Sequence, residues 1–280
     1  MKRCLIVSNT SKKIAYSLSK EIEEFLIPYE ISVVFSQFNG ENRPLNLEHV
    51  NFIVTLGGDG TVLYAARECA AANIPIFPIN LGEFGFIAGI QPEDWKYELE
   101  KFLDGKETIT KRSLVNGAVC RNGKELINCN AMNDVVISSK AVARIVSLNV
   151  KAGAVNFGEF KADGIIVSSP TGSTAYSAAA GGPIVDPRLD SLVLNPVSPF
   201  SLSNRPLVLP PEEVLTIRVL PSRNAEIVVS WDGQLHYDVE VGDLIIIKKS
   251  ALFVRLAGCE TDKFYKALCS KLHWSGGPHA

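Results

Sequence analysis

"TLGGDGTVLYAA", residues 55–66, sets three glycines around one aspartate, between an apolar run and a helical pattern. The preceding "NFIVTL" (51–56) has the composition of a buried strand, and "TVLYAARECAAA" (61–72) has the period of a helix. Gly57-Gly58-Asp59-Gly60 therefore fall at a strand-to-helix turn, on the carboxyl edge where open α/β sheets gather ligands. Glycines accept positive φ and let backbone N–H groups come within reach of phosphate oxygens. The helix opening at Thr61 adds its positive dipole end. Taken alone, the stretch reads equally as a tight turn with no ligand. Three glycines around one acid at that edge favour a phosphate site with a working carboxylate.

Working outward, residues 1–108 alternate strand and helix patterns. "CLIVSN", "ISVVF", "NFIVTL" and "IPIFPIN" read as strands; "KKIAYSLSKEIEEFL", "TVLYAARECAAA" and "PEDWKYELEKFLDG" read as helices. That alternation implies βαβ units, hence an α/β domain with a mostly parallel, Rossmann-like sheet. From about Lys111 short β-rich runs take over: "LVNGAVC", "ELINCNAMNDVVIS", "RIVSLNV", "GIIVSS", "VLTIRVL", "EIVVSW" and "DLIIIKK". Turn signals such as Asp232-Gly233 punctuate them, so residues 109–257 are expected to form an all-β sandwich or a barrel-like domain. The closing helical stretch, within 258–280, is expected to pack back on the first domain.

Composition excludes several classes. The 280 residues are 46% hydrophobic and 21% charged, as in an ordinary folded domain pair. A net charge of −2 leaves no basic excess for nucleic acid. The six cysteines have neither CxxC pairing nor zinc spacing and read as reduced intracellular thiols. No apolar run approaches the roughly 20 residues of a membrane span, so a cytoplasmic location is expected. No GxSxG elbow, P-loop or GxGxxG fingerprint is present. No His or Cys pair has ligand spacing, so no metal-ligand set is assigned.

Two further segments repeat the opening logic. "INLGEFGFIAG" (79–89) follows a strand and puts Asn80, Gly82 and Gly85 at the next carboxyl edge. It reads equally as a loop packing under Phe84 and Phe86. "FKADGIIVSSPTGSTAYSAAAGGPIVDP" (160–187) runs a strand into hydroxyls and small side chains where a short helix begins, donors that suit a sugar or phosphate against the backbone. Against that stand plainer readings: Asp163-Gly164 as a hairpin turn, and Ser173 as the cap of a helix starting at Thr174.

"GGDGT", "NLGEFGF", "NDVVIS", the Asp163–Pro187 block and "SWDGQ" resemble, in order and spacing, the NAD kinase family. GGDG by itself is shared with diacylglycerol kinases, sphingosine kinases and phosphofructokinases; the long block is the specific part. The resemblance implies an α/β domain followed by a β-sandwich, assembled as a homodimer or homotetramer. It implies phosphorylation of the adenosine-ribose 2′-hydroxyl of NAD by ATP with Mg²⁺ or another divalent metal. Carried over by position, Asp59 is the general base and also touches NAD with Gly60. Asn133 and Asp134 hold ribose and nicotinamide groups, Arg144 and Lys161 lie near phosphates, and Asp163 holds the nicotinamide amide. Thr174, Ala175, Tyr176, Ser177, Ala178 and Ala179 line the adenosine, with Tyr176 stacked on it, and Gln234 reaches the ligand from a later strand. Gly57, Gly58, Gly60, Thr61, Asn80 and Gly82 take the ATP phosphates. The pattern departs from the family at Ser169, where Thr is commoner, and at Ala178-Ala179, where Leu-Ser is frequent. A lipid or sugar kinase sharing GGDG, and a sensor that binds NAD(P) without turnover, are the alternatives.

Overall fold

The computed structural model describes residues 2–82, 85–141, 144–201, 203–223 and 225–272. Phe84 and the end of the carboxyl-terminal helical stretch lie outside the described residues. The chain divides into two compact units, 1–111 with 254–280, and 112–253. The division falls inside two strands rather than at the composition changes near 108 and 257. Strands Ile109–Arg121 and Leu244–Ala257 each continue through it.

In the first unit the elements are β1 (Lys2–Asn9), α1 (Lys13–Leu26), β2 (Ile31–Phe38), β3 (Phe52–Gly57), α2 (Asp59–Cys69), β4 (Ile76–Asn80) and α3 (Trp95–Leu103). Strands pair in parallel in the order β2-β1-β3-β4. Every residue of β3 and of β4 is buried, as expected of a central parallel strand covered on both faces. α1 turns Ala15, Leu18, Ile22 and Leu26 inward at helical spacing, onto Cys4, Ile6 and Val54 of the sheet. α2 begins at Asp59, two residues before the Thr61 start read from sequence, so the acid belongs to the helix's first turn.

In the second unit the strands are β5 (Ile109–Arg121), β6 (Lys124–Ala131), β7 (Asp134–Ser139), β8 (Val146–Ala152), β9 (Val155–Ala162) and β10 (Gly164–Ser168). A 3₁₀ turn (Thr171–Thr174) and the four-residue α4 (Tyr176–Ala179) follow. Then come β11 (Leu192–Val197), β12 (Leu207–Leu209), β13 (Leu215–Val219), β14 (Ile227–Trp231), β15 (Leu235–Val239) and β16 (Leu244–Ala257). One antiparallel sheet runs β12-β11-β10-β7-β14-β15; the other pairs β16-β13-β8-β9, with β5 beside β16 and β6 beside β5. Their inner faces meet in one core of Val135, Ile165, Leu194, Val229, Leu148, Ile217 and Ile245 with their neighbours, a β-sandwich. Trp231 is fully buried there, and its Nε1 donates to Gly117 O at 3.2 Å. A Cβ on Gly117 would lie 2.8 Å from that nitrogen, so the strand needs glycine at this crossing. The last helix, α5 (Thr261–Leu272), belongs to the first unit, where Phe264 meets Phe86 at 6.2 Å between ring centroids.

The run "ELINCNAMNDVVIS" holds two strands, which part at Met132-Asn133 and lie in different sheets. Two local readings are corrected. Asp163-Gly164 is no hairpin turn, because β9 and β10 belong to different sheets and the pair carries the chain between them. Ser173 caps no helix. Its hydroxyl donates to Pro170 O at 2.7 Å and accepts from Val185 N at 2.9 Å, fastening the segment to its own return.

Candidate active site

The first unit gathers the glycine segments. β3 and β4 run in register so that Gly57 pairs with Asn80, and Leu81 N donates to Gly57 O at 2.8 Å. The two carboxyl-edge turns therefore lie side by side. A Cβ on Gly57 would stand 2.1 Å from Thr61 Oγ1, so helix α2 can start this tightly only after glycine. Thr61 and Asn80 are both about 1% exposed. Thr61 Oγ1 accepts from Asn9 Nδ2 at 3.4 Å, and Asn80 Oδ1 accepts from Gly82 N at 3.2 Å. Their own N–H groups go to Gly58 O and Ile90 O. These two side chains build the turns; the exposed part is the first turn of α2 at Gly60.

Asp59 joins the two segments. Its Oδ2 accepts from Phe86 N at 3.0 Å, and its Oδ1 accepts from Ile87 N at 3.2 Å and Ala88 N at 3.0 Å. The carboxylate thus satisfies three successive backbone donors of the second glycine segment while remaining half-exposed. Packing under Phe86 is real as well, since its ring meets Phe264 and carries Lys271 Nζ at 4.7 Å. The same segment thus packs through its Phe86 ring and turns its backbone N–H groups at 86–88 to Asp59.

The second unit holds a separate cluster. A cavity of about 390 Å³ is lined by Asn133, Asp134, Ala175, Tyr176, Asp232 and Gly233, among others. Asn133 and Asp134 stand where the chain leaves β6 for β7, and Ala175-Tyr176 where the 3₁₀ turn passes into α4. Gly172 makes that meeting possible, because a Cβ there would fall 2.0 Å from Asn133 O. Ser169 N donates to the same carbonyl at 2.8 Å, while Ser169 Oγ donates to Met132 O and accepts from Gly172 N. Threonine's extra methyl is not needed for those bonds.

Asp232 organises this cavity, and sequence reading saw in it only the first residue of a turn. With φ at 53°, it accepts from Met132 N (2.9 Å), Asn133 N (2.7 Å) and Asp134 N (3.2 Å). This is the arrangement of Asp59 again: one Asp-Gly carboxylate clasping three consecutive N–H groups. Beside it, burial pushes the Asp134 carboxyl up to about 7, and the Asp232 charge adds to the rise. Among the described residues, Asn133 Oδ1 and Thr171 Oγ1 are buried without a hydrogen-bond partner.

The remaining sequence candidates divide. Tyr176 is 48% exposed at the cavity, and Thr174, Ala178 and Ala179 lie along the same turn. Ser177 is buried and turned away from the cavity, where Asn195 Nδ2 donates to its carbonyl at 2.9 Å. Gln234 sits half-buried next to Gly233, its N–H bonded to Trp231 O. Arg144, Lys161 and Asp163 are exposed at one end of the β8–β9 pair, where Val146 faces Ala162, and do not line the cavity.

Residues 43–107 match the ATP-NAD kinase N-terminal domain model, and residues 132–257 match the ATP-NAD kinase C-terminal domain model. The NAD kinase of Treponema denticola is 48% identical over 277 residues, covering 99% of this chain and 98% of the relative. The chain belongs to the ATP-NAD kinase family. Solved structures agree in fold. A yeast NADH kinase complexed with NADH superposes with a TM-score of 0.89 at 22% identity, covering 99% of this chain and 89% of that one. An Archaeoglobus fulgidus NAD kinase in complex with ATP gives a TM-score of 0.78 at 29% identity, covering 97% and 98%. The matched segments contain both Asp-Gly clasps, Asp59 and Asp232. No helix among the described residues is long and apolar enough to cross a membrane.

Proposed function

We propose that this chain transfers the γ-phosphoryl group of ATP to the 2′-hydroxyl of the adenosine ribose of NAD, giving NADP, with Asp59 as the general base. The observation that carries the reading is the remaining acceptor capacity of Asp59. A carboxylate offers about four lone-pair sites, and among the described residues three backbone N–H groups occupy all but one, on Oδ2. A ribose hydroxyl is a weak nucleophile near neutral pH. A fixed carboxylate with one open site orients it and takes its proton as the oxygen bonds to phosphorus. The bond to the bridging oxygen breaks, and ADP leaves with that electron pair. Such a base contributes about 10²–10⁴ in rate, the rest coming from positioning and charge neutralisation.

Among the described residues no three His, Cys, Asp or Glu side chains converge as a cation cage. Mg²⁺ keeps several waters and binds mainly through substrate phosphates, so it does not require a protein cage. Carried on ATP, Mg²⁺ or another divalent cation would neutralise the phosphate charge, leaving the open acceptor site of Asp59 to the ribose hydroxyl.

The NAD side is assigned to the Asp232-organised cavity. Asn133 and Asp134 supply hydrogen bonds, Ala175 and Tyr176 a wall for the adenine, and Thr174, Ala178, Ala179 and Gln234 its margins. Arg144, Lys161 and Asp163 are placed at a further part of the dinucleotide. Location in the cytoplasm and assembly as a homodimer or homotetramer complete the reading. Purified protein incubated with Mg-ATP and NAD should yield NADP, detected with an NADP-specific dehydrogenase. Binding of NAD with no NADP formed would replace the kinase by a sensor.

A further inference from the structure

A cavity of about 450 Å³ in the first unit lies outside every residue assigned so far. It opens between α1 and the carboxyl-terminal halves of β1 and β2, the latter being the edge strand of the parallel sheet. Ser8 and Asn9 line it from β1, Phe35 and Gln37 from β2, and Lys12 and Tyr16 from the start of α1. That volume is in the range that encloses a small organic ligand. Two aromatic rings are left bare beside it: Tyr16 is 73% exposed and Phe35 is 44% exposed. Neither Lys12 nor Lys13 is in an ion pair among the described residues. Lys20 stands 4.6 Å above the Phe35 ring.

Two contacts tie this cavity to the glycine turns. Asn9 donates to Thr61 Oγ1, and its Cβ lies 3.1 Å from the position a Cβ on Gly57 would take. Lys12 Nζ lies 3.7 Å from the corresponding position on Gly82. A path therefore leads from aromatic faces, past a lysine amine, to the two turns that Asp59 clasps. Flat apolar surface, then cation, then backbone donors is the order of chemistry along a nucleoside triphosphate.

The geometry points to this cavity as the nucleoside subsite of the phosphoryl donor, with the base against Phe35 and Tyr16 and Lys12 on the phosphate chain. The assignment rests on the phosphotransfer reading for its reaction, but not for its test. Equilibrium dialysis measures Mg-ATP and, separately, inorganic tripolyphosphate binding to the full chain without NAD. Lys12→Gln is expected to weaken both by about tenfold or more, as expected for a lost charged hydrogen bond. Phe35→Ala is expected to weaken Mg-ATP by about fivefold or more, the loss of one base–ring stack, and to leave tripolyphosphate within twofold. A far-UV circular dichroism spectrum and a melting midpoint like those of the wild type show that each variant is folded. Tyr16→Ala, on the exposed face of α1, takes the place of Phe35→Ala if that chain misfolds.

Wild-type Mg-ATP binding in both variants overturns the subsite, whether or not the protein makes NADP. Loss in Lys12→Gln alone also overturns it, since the base would then go unrecognised here. If the expected losses occur but wild-type protein forms no NADP, the cavity stands and the phosphotransfer reading falls.

Discussion

Gly85 and Asp59 leave no room between them for a methyl group: a Cβ on Gly85 would stand 2.0 Å from Asp59 Oδ1. The carboxylate reaches so close because it must accept three N–H groups from residues 86–88. Glycine in the second segment is thus required by the acid in the first. The dependence is steric and specific to that position. Gly58, next to the acid in sequence, has an ordinary extended backbone and open space where its Cβ would be.

Gly85→Ala should therefore cost about 2–4 kcal/mol, through displaced charged hydrogen bonds that leave buried donors unpaired. Gly58→Ala should cost less than about 1 kcal/mol. For a chain of this size the first change lowers Tm by roughly 5–10 °C. Thermal unfolding of the two variants side by side measures the contrast, and equal midpoints would dismiss the steric account.

Asp134 gives the chain a pH-dependent stability. Its carboxyl titrates near 7 when folded, because burial and then the Asp232 charge disfavour ionisation, against an ordinary value of 3.8. The unfolded chain therefore loses this proton first. Between about pH 4 and pH 7 the folded state holds more protons, so stability falls as pH rises, and the contribution levels off above 7. The full loss is at most about 4 kcal/mol. Asp134→Asn should flatten this slope, so urea midpoints of variant and wild type should agree near pH 4 and diverge, variant higher, at pH 8.

What could be read from sequence was what lies close in sequence. The apolar strands β1, β3 and β4 and the period of α1 announced the parallel unit, because burial on both faces leaves continuous apolar runs. β9 escaped notice because it is an exposed strand with little apolar alternation. β11 carries Pro196, opposite Ile165, inside its run. The break at Met132-Asn133 is imposed by Asp232, about a hundred residues away. Asp59 reached its partners across nearly thirty residues, so its glycine neighbours were legible but its hydrogen bonds were not. The Asp-Gly pair carries a clasp at 59–60 and 232–233, but the pairs at 104–105 and 163–164 show none among the described residues, so the pair alone could not mark the site.

Tyr176 separates binding from stability. Its ring is 48% exposed and bounds the Asp232-organised cavity, so removing it uncovers little core. Tyr176→Ala should change stability by less than about 0.5 kcal/mol, while weakening NAD by roughly 1–3 kcal/mol if the ring stacks on adenine. Calorimetric titration with NAD, alongside a melting curve, tests both halves. An unchanged dissociation constant removes the ring from the site.

Asp59→Asn poses the sharpest question, because the same carboxylate is assigned a clasp and a base. An amide keeps one acceptor oxygen for Ile87 and Ala88 but turns its NH₂ toward Phe86 N–H, so part of any lost rate is structural. Gly85→Ala disturbs the clasp and keeps the carboxylate, which supplies the comparison. If Asp59 is the base, Asp59→Asn lowers kcat by about 10²–10⁴, while Gly85→Ala, which keeps the carboxylate, lowers it far less. If Asp59 is a clasp only, both variants lose rate alike.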